Sequence, residues 1–571
     1  MSSHDDTPNL EYSGEQFCLN NPGQITPSPH MAVPKQGFAC CGPGKKRYII
    51  SLLCTTCLTI VIGMRAEMLS IITKLNNTHV GRHIESSLFE ADSAQSCRMP
   101  HSRHNEVTGP AAADDHLFFK PSHHRQLPWT ATITEDLVEN AVFFAYLIAS
   151  PIGGYLTVRH DSSLLLGCSV AMTCGLNLFL PLAETIGSNI DAKLALIIIL
   201  RLLQGMAEGC LIPAVFGILR YWTPASERST LISLAVIGVS LGPLIGLPVC
   251  AEIEQKWGWG VVFYIYANLG LIWCIFWWRI VDEKPQKDRN LSKAEKIYLK
   301  ANTSPQLLFD STSVQIPWVA MFTSKPIMAI FLTYAADDWT FQIASVCMQT
   351  FYQQRYNADV QKTIFLLSFP FLSRSVFVPM GGFLADIVKL KTPMSCTNIR
   401  KVFSGIGFGL KGVFFLALGF AKNEVHATII LSLALGVSGL AVAGYAVSVI
   451  ELAPKFAGLI MGFANSISTL TGILSTVIAT IVVHYLSTGV GTGWVVAMSL
   501  AAGSQFFAAV FFLIFASSQE QDWAKGEVVV TASSGTFPSS NNLAKNQYRV
   551  HQQGQMSRPP CESDDIEANC G

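Results

Sequence analysis

Charge is scarce in this chain. Only 14% of its 571 residues are Asp, Glu, Lys or Arg, while 50% are hydrophobic. A soluble globular protein carries about 25% charged residues, so a large soluble enzyme is a poor fit. The formal net charge is zero, which gives no reason to expect a nucleic-acid partner. The 15 cysteines are scattered, so neither a disulfide framework nor a zinc site is legible, and no metal or other cofactor is expected. Cys54 and Cys57 have C-x-x-C spacing but lie within an apolar run, where helix packing explains them better than redox chemistry. The first 36 residues are polar and proline-containing, so no signal peptide is expected there.

Long apolar runs are what the chain has instead. Twelve reach the roughly 20 residues needed to cross a bilayer. They lie near 48–72, 137–158, 163–183, 194–216, 230–251, 261–281, 326–348, 363–384, 402–421, 426–448, 456–484 and 492–516. Two of them share an ending. PIGGYLTVR begins at Pro151 and PMGGFLADI at Pro379, 228 residues later. TPASERS around Pro224 and APKFAGL around Pro454 repeat at nearly the same offset. Such an echo implies a duplicated six-span half. The expected fold is an all-α integral membrane protein with twelve transmembrane helices in two six-helix halves, the major facilitator architecture, with a substrate site between the halves.

The organisation follows. Residues 1–44 and 518–571 are polar and read as disordered cytosolic ends; residues 45–281 and 326–517 form the two halves; 282–325 is a cytosolic linker. Lys and Arg set the orientation. Lys45, Lys46, Arg47, Arg159, Arg220, Arg228, Lys389, Lys391, Arg400 and Lys401 fall on the side of the linker, whose own Lys284, Lys287, Arg289, Lys293, Lys296 and Lys300 add to it. The loops 184–193, 252–260 and 485–491 on the opposite side are poor in both, so both termini are expected in the cytosol. In the linker, Ser292 and Glu295 have capping-box spacing and predict a short surface helix. The loop 73–136 faces outside or a lumen; Asn76 in Asn76-Asn77-Thr78 is a glycosylation acceptor by pattern, and seven histidines fall here.

Charges inside apolar spans are candidate functional groups, because each costs about 2.5–3.5 kcal/mol on insertion scales. Arg65 lies deep in span one and suits a carboxylate held bidentately, or else an ion pair with a neighbouring helix. Arg201, Gln204 and Glu208 share one stripe of span four; Glu208 is a proton-coupling candidate or half of a structural pair, with Gly205 and Gly209 allowing close helix contact. Glu139 opens span two, with Phe143 and Tyr146 on the same side. Asp337 and Asp338 are adjacent in span seven, and Glu451 ends span ten at the cytosolic boundary, where a solvated acid is expected.

GMRAEM, RLLQGMAEG, PASERS, DWTF, GGFLAD, NIRKVFSGIGFGLKG and ELAPKFAGLIMGFANSISTLTGIL together resemble the vesicular glutamate transporters of the anion–cation symporter family, which also includes sialin and the type I sodium–phosphate cotransporters. The resemblance covers about residues 46–523. It implies a carrier rather than an enzyme, moving a small anion (L-glutamate, another organic anion or phosphate) with H+, Na+ or Cl− as coupled ions, in an intracellular vesicle such as a synaptic vesicle, or in the plasma membrane. By resemblance Arg65 matches the substrate-facing arginine, and Arg201 and Glu208 match the paired charges of span four. Tyr146, Asp337 and Trp339 complete the expected substrate site; Glu208, Glu139 and Arg201 the coupling site. The chain departs from these relatives where they carry a second substrate arginine, here Asp337, and where they carry a span-two histidine, here Glu139. With one cation left, a sialic-acid-like monoanion, phosphate, or an amino acid whose ammonium meets Asp337 fits as well. An anion channel and a transport-inactive receptor or trafficking protein are the alternatives of other classes.

Overall fold

The computed structural model describes residues 45–65, 129–185, 190–304, 307, 315–485 and 491–525. Among them, eleven helices are long and apolar enough to cross a membrane. Span one is Lys46–Met64, span two Trp129–Arg159 and span three Ser162–Thr185. Span four runs Ile190–Gly209 and continues as Leu211–Trp222; span five is Arg228–Val236 continued by Gly238–Trp257; span six is Trp259–Ile280. In the second half, span eight is Val360–Lys391, span nine Cys396–Leu418, span ten Glu424–Leu452, span eleven Ala457–Tyr485 and span twelve Thr492–Phe515.

Span seven is the exception. Lys325–Gln342 passes through a π-helical turn, Ile343–Cys347, into Met348–Tyr356. Its two adjacent aspartates lower its apolarity, and π turns concentrate at functional sites. Caps fix several starts. The Asn423 side chain accepts from the backbone N–H of His426, and Ser395 accepts from Asn398. Ser292 accepts from Glu295 and opens the linker helix Lys293–Asn302, as its spacing predicts. That helix docks on span one through Glu295, which takes Arg47 at 3.0 Å; Arg47 also pairs with Glu227 ahead of span five at 2.8 Å, and Lys46 pairs with Asp288 of the linker.

The sequence echo has a structural meaning. A Cβ on Gly153 would stand 2.6 Å from the Cys210 Cα, and one on Gly381 would stand 2.9 Å from the Leu440 Cα, so each first glycine seats spans two and eight against a neighbour in the same half. The second glycines meet the other half. A Cβ on Gly154 would stand 2.9 Å from the Gly458 carbonyl oxygen, and one on Gly382 would stand 2.6 Å from that of Ser229. Spans two and eleven, and eight and five, thus cross at backbone contact.

The basic-loop end is shut. Arg220 donates to the Lys455 carbonyl at 2.5 Å and Lys389 to that of Ala225 at 2.9 Å. Asp386 accepts from the backbone N–H groups of Ser229 and Thr230, and Arg400 donates to the Ser229 hydroxyl at 2.8 Å. Glu451, expected at a solvated boundary, is instead buried and held by both arms of Arg400 at 3.0 and 2.7 Å.

Candidate substrate site

A cavity of about 160 Å³ lies between the halves. Its charged lining consists of Arg65, Glu208, Asp337, Asp338 and Arg374. Arg65 follows directly on the described helix of span one, Lys46–Met64. The guanidinium reaches Glu208 of span four at 3.1 Å and lies 5.0 Å over the Phe143 ring and 5.4 Å over that of Tyr146. Its side chain is 28% exposed against 2% for Glu208, so the cation faces the cavity and the acid sits behind it. Gly205 and Gly209 permit this by bringing span four onto span two; a Cβ on Gly209 would stand 2.7 Å from that of Ala149. The Tyr146 hydroxyl accepts from the Asn465 amide of span eleven at 2.5 Å, linking the halves at cavity level.

The opposite wall corrects the expectation for Asp337. Far from being an isolated anion awaiting a substrate ammonium, it is buried and already paired. Its carboxylate takes Arg374 of span eight at 3.0 Å, Lys411 of span nine at 2.5 Å and the Tyr445 hydroxyl of span ten at 3.0 Å. Lys411 is fully buried behind it, while Arg374 reaches the cavity and lies 5.1 Å from the centre of the Phe341 ring. The cavity therefore retains two cations at its surface, Arg65 and Arg374, rather than one. Arg374 and Lys411 escape a reading of the sequence although each is a cation inside an apolar run, the same signal that singles out Arg65.

Other expected residues fall elsewhere. Trp339 packs against the apolar cluster of the second half and is not among the cavity-lining residues. Arg201 is buried within the first half, where it donates to Gln204 at 2.9 Å; Gln204 in turn reaches Asn177 of span three at 3.4 Å. Arg201 and Glu208, expected as a pair, therefore serve different neighbours. Glu139 lies on span two, but its side chain is outside the described residues, as are Asn76 and the histidine-rich loop. Among the described residues no group of three His, Cys, Asp or Glu side chains is placed to hold a metal.

This two-half bundle around a central cavity agrees with the sequence match to the Major Facilitator Superfamily over residues 126–476. The chain belongs to that superfamily. Among curated relatives it is 30% identical to vesicular glutamate transporter 2 of Bos taurus over 396 residues, covering 69% of this chain and 66% of the relative. It is 27% identical to vesicular glutamate transporter 3 of Danio rerio over 512 residues, 89% of this chain and 79% of the relative. The chain thus spans about two thirds of the bovine relative's length. Among solved structures, a double-tryptophan mutant of XylE superposes with a TM-score of 0.61 at 14% identity, covering 84% of this chain and 98% of that one. The human organic anion transporter MFSD10 gives 0.55 at 14% identity, with 83% and 100% covered. These two show the fold alone.

Proposed function

We propose that the chain is a secondary active transporter of a small organic anion that works by alternating access, with Arg65 as the anion site. The partly exposed guanidinium on a cavity between two halves carries this reading. Phe143 and Tyr146 flank it, and a single acid behind it leaves donors free to engage a carboxylate bidentately. Closure at the basic-loop end and glycine-mediated crossings between the halves supply the rocking geometry. The likeness to vesicular glutamate transporters supports L-glutamate as the first substrate to test, ahead of sialic acid and phosphate. Membrane potential is a sufficient drive, at about 2.3 kcal/mol per charge per 100 mV. The distribution of Lys and Arg supports cytosolic termini in a vesicle or plasma membrane.

The test is uptake of labelled L-glutamate, sialic acid and phosphate into proteoliposomes under separately imposed potential and pH gradients. Saturation and countertransport are expected for one of the three in the wild type, and both should vanish in Arg65→Ala. Unsaturable flux would mark a channel. Normal uptake by the alanine variant would remove Arg65 from the site.

A further inference from the structure

We propose that Asp338 is the cavity's cation site: it takes a singly charged cation that is carried together with the anion at Arg65. The inference rests on the anion-carrier reading and adds to it the second ligand. Among the described residues, each of the other charges lining the cavity has an opposite charge within 4 Å. Arg65 has Glu208, and Asp337 has Arg374 and Lys411. Asp338 lines the same cavity and is in none of these pairs; Ser468 of span eleven lines the cavity with it.

The surroundings are shaped to keep that carboxylate where it is. A Cβ on Gly472 of span eleven would stand 2.6 Å from the Asp338 Oδ2 and 2.8 Å from the Gln342 Cγ, so only glycine leaves the slot open. Arg65, Arg374 and Asp337 act on Asp338 electrostatically across the cavity without pairing with it. The remaining polar lining is uncharged and includes Tyr146, Gln342, Tyr445 and Asn465. The surplus positive charge of Arg374 and Lys411 lies near Asp338, but both cations are held by Asp337, and Arg65 is held by Glu208. An anion arriving alone engages Arg65 and gives Asp338 no partner in contact; an anion arriving with one positive charge does. A partly buried carboxylate with no ion-pair partner is costly, and sites of that kind are retained where a ligand completes them.

Two sources supply the same charge: an ammonium group on the substrate itself, or a free Na+ or H+. Asp338→Asn separates them. In proteoliposomes, inhibition of L-glutamate uptake by unlabelled L-glutamate and by its deaminated counterpart glutarate is compared in wild type and variant. Sodium is replaced by choline, and pH is clamped. If the charge is the substrate's, the wild type prefers L-glutamate at least tenfold and the variant loses that preference. If it is a free ion, uptake by the wild type requires Na+ or an imposed proton gradient and the variant loses that requirement. Retention of both the preference and the ion requirement overturns the proposal.

A readout independent of transport keeps this distinct from failure of the anion reading. In purified, ligand-free full-length protein, Asp338→Asn removes a carboxylate with no ion-pair partner and should raise the melting temperature. A lower melting temperature would show that Asp338 is a structural partner and would overturn the cation site even if no anion were found.

Discussion

The two walls of the cavity solve the same electrostatic problem differently. The first half presents one cation and one acid, Arg65 and Glu208, with the cation toward the cavity. The second half surrounds one acid, Asp337, with two cations and a hydroxyl, and buries one of those cations completely. The first arrangement leaves a guanidinium available to a ligand. The second consumes its acid internally and is fixed by spans seven, eight, nine and ten at once. The difference teaches that a charge in a membrane span is not by itself a substrate contact; what decides is whether its partner is a neighbouring helix or the cavity.

The sharpest way to break this comparison is Asp337→Asn. If the second wall is structural, the change strands Arg374 and Lys411 together without an anion. Removing one partner of a buried pair costs about 3–5 kcal/mol. Loss of folded protein in fluorescence-detected size-exclusion chromatography is expected, and Asp337→Arg should be worse, since it places three cations together. An arginine here therefore unfolds the wall rather than improving selectivity for dicarboxylates. Exchanging the charges, Asp337→Lys with Lys411→Asp, should recover much of the loss; no recovery would show that Arg374 alone holds the acid.

On the first wall the order of effects reverses. Arg65→Ala should leave the protein folded, because removing the guanidinium opens Glu208, which lines the cavity behind it, to cavity water. Uptake should fall at least about 100-fold, a loss of roughly 2.7 kcal/mol in transition-state stabilisation. Arg65→Lys keeps the charge but not the fork, so an intermediate loss of about tenfold is expected. Equal uptake by the lysine variant and the wild type would mean that the anion is held as a point charge, not bidentately.

Much of this is legible in the sequence. Run lengths mark the spans, the GG echo marks the two halves, and Ser292 and Glu295 mark the linker helix. Arg65 and Glu208 stand out by their depth in apolar runs. What escapes is tertiary. That Asp337 is paired depends on Arg374, 37 residues on, and Lys411, 74 residues on, turning toward one point, and no local spacing records that. Adjacent residues on a helix point about 100° apart, so Asp338 and Trp339 inherit different surroundings from Asp337 despite sitting in one motif. Glu451 misleads for a similar reason: a boundary position reads as solvated until Arg400 of span nine folds over it.

The smallest expected effect is the most informative about mechanism. Glu208 holds Arg65 through one oxygen at 3.1 Å, so an incoming carboxylate competes with it for the guanidinium. Removing the charge of Glu208 weakens that hold and strengthens anion binding. Gln at position 208 keeps the shape and one hydrogen-bonding oxygen, and the charge is gone. Glu208→Gln should therefore bind the anion several-fold more tightly than the wild type. Apparent KM for the labelled anion, measured in proteoliposomes at one fixed pH, reads this directly. The fold is not at risk in the variant, since Arg65 borders the cavity and its charge is not stranded in a dry interior. An unchanged KM in the variant would leave the Arg65–Glu208 pair as a structural contact. The charges of the first wall would then serve packing just as those gathered around Asp337 do.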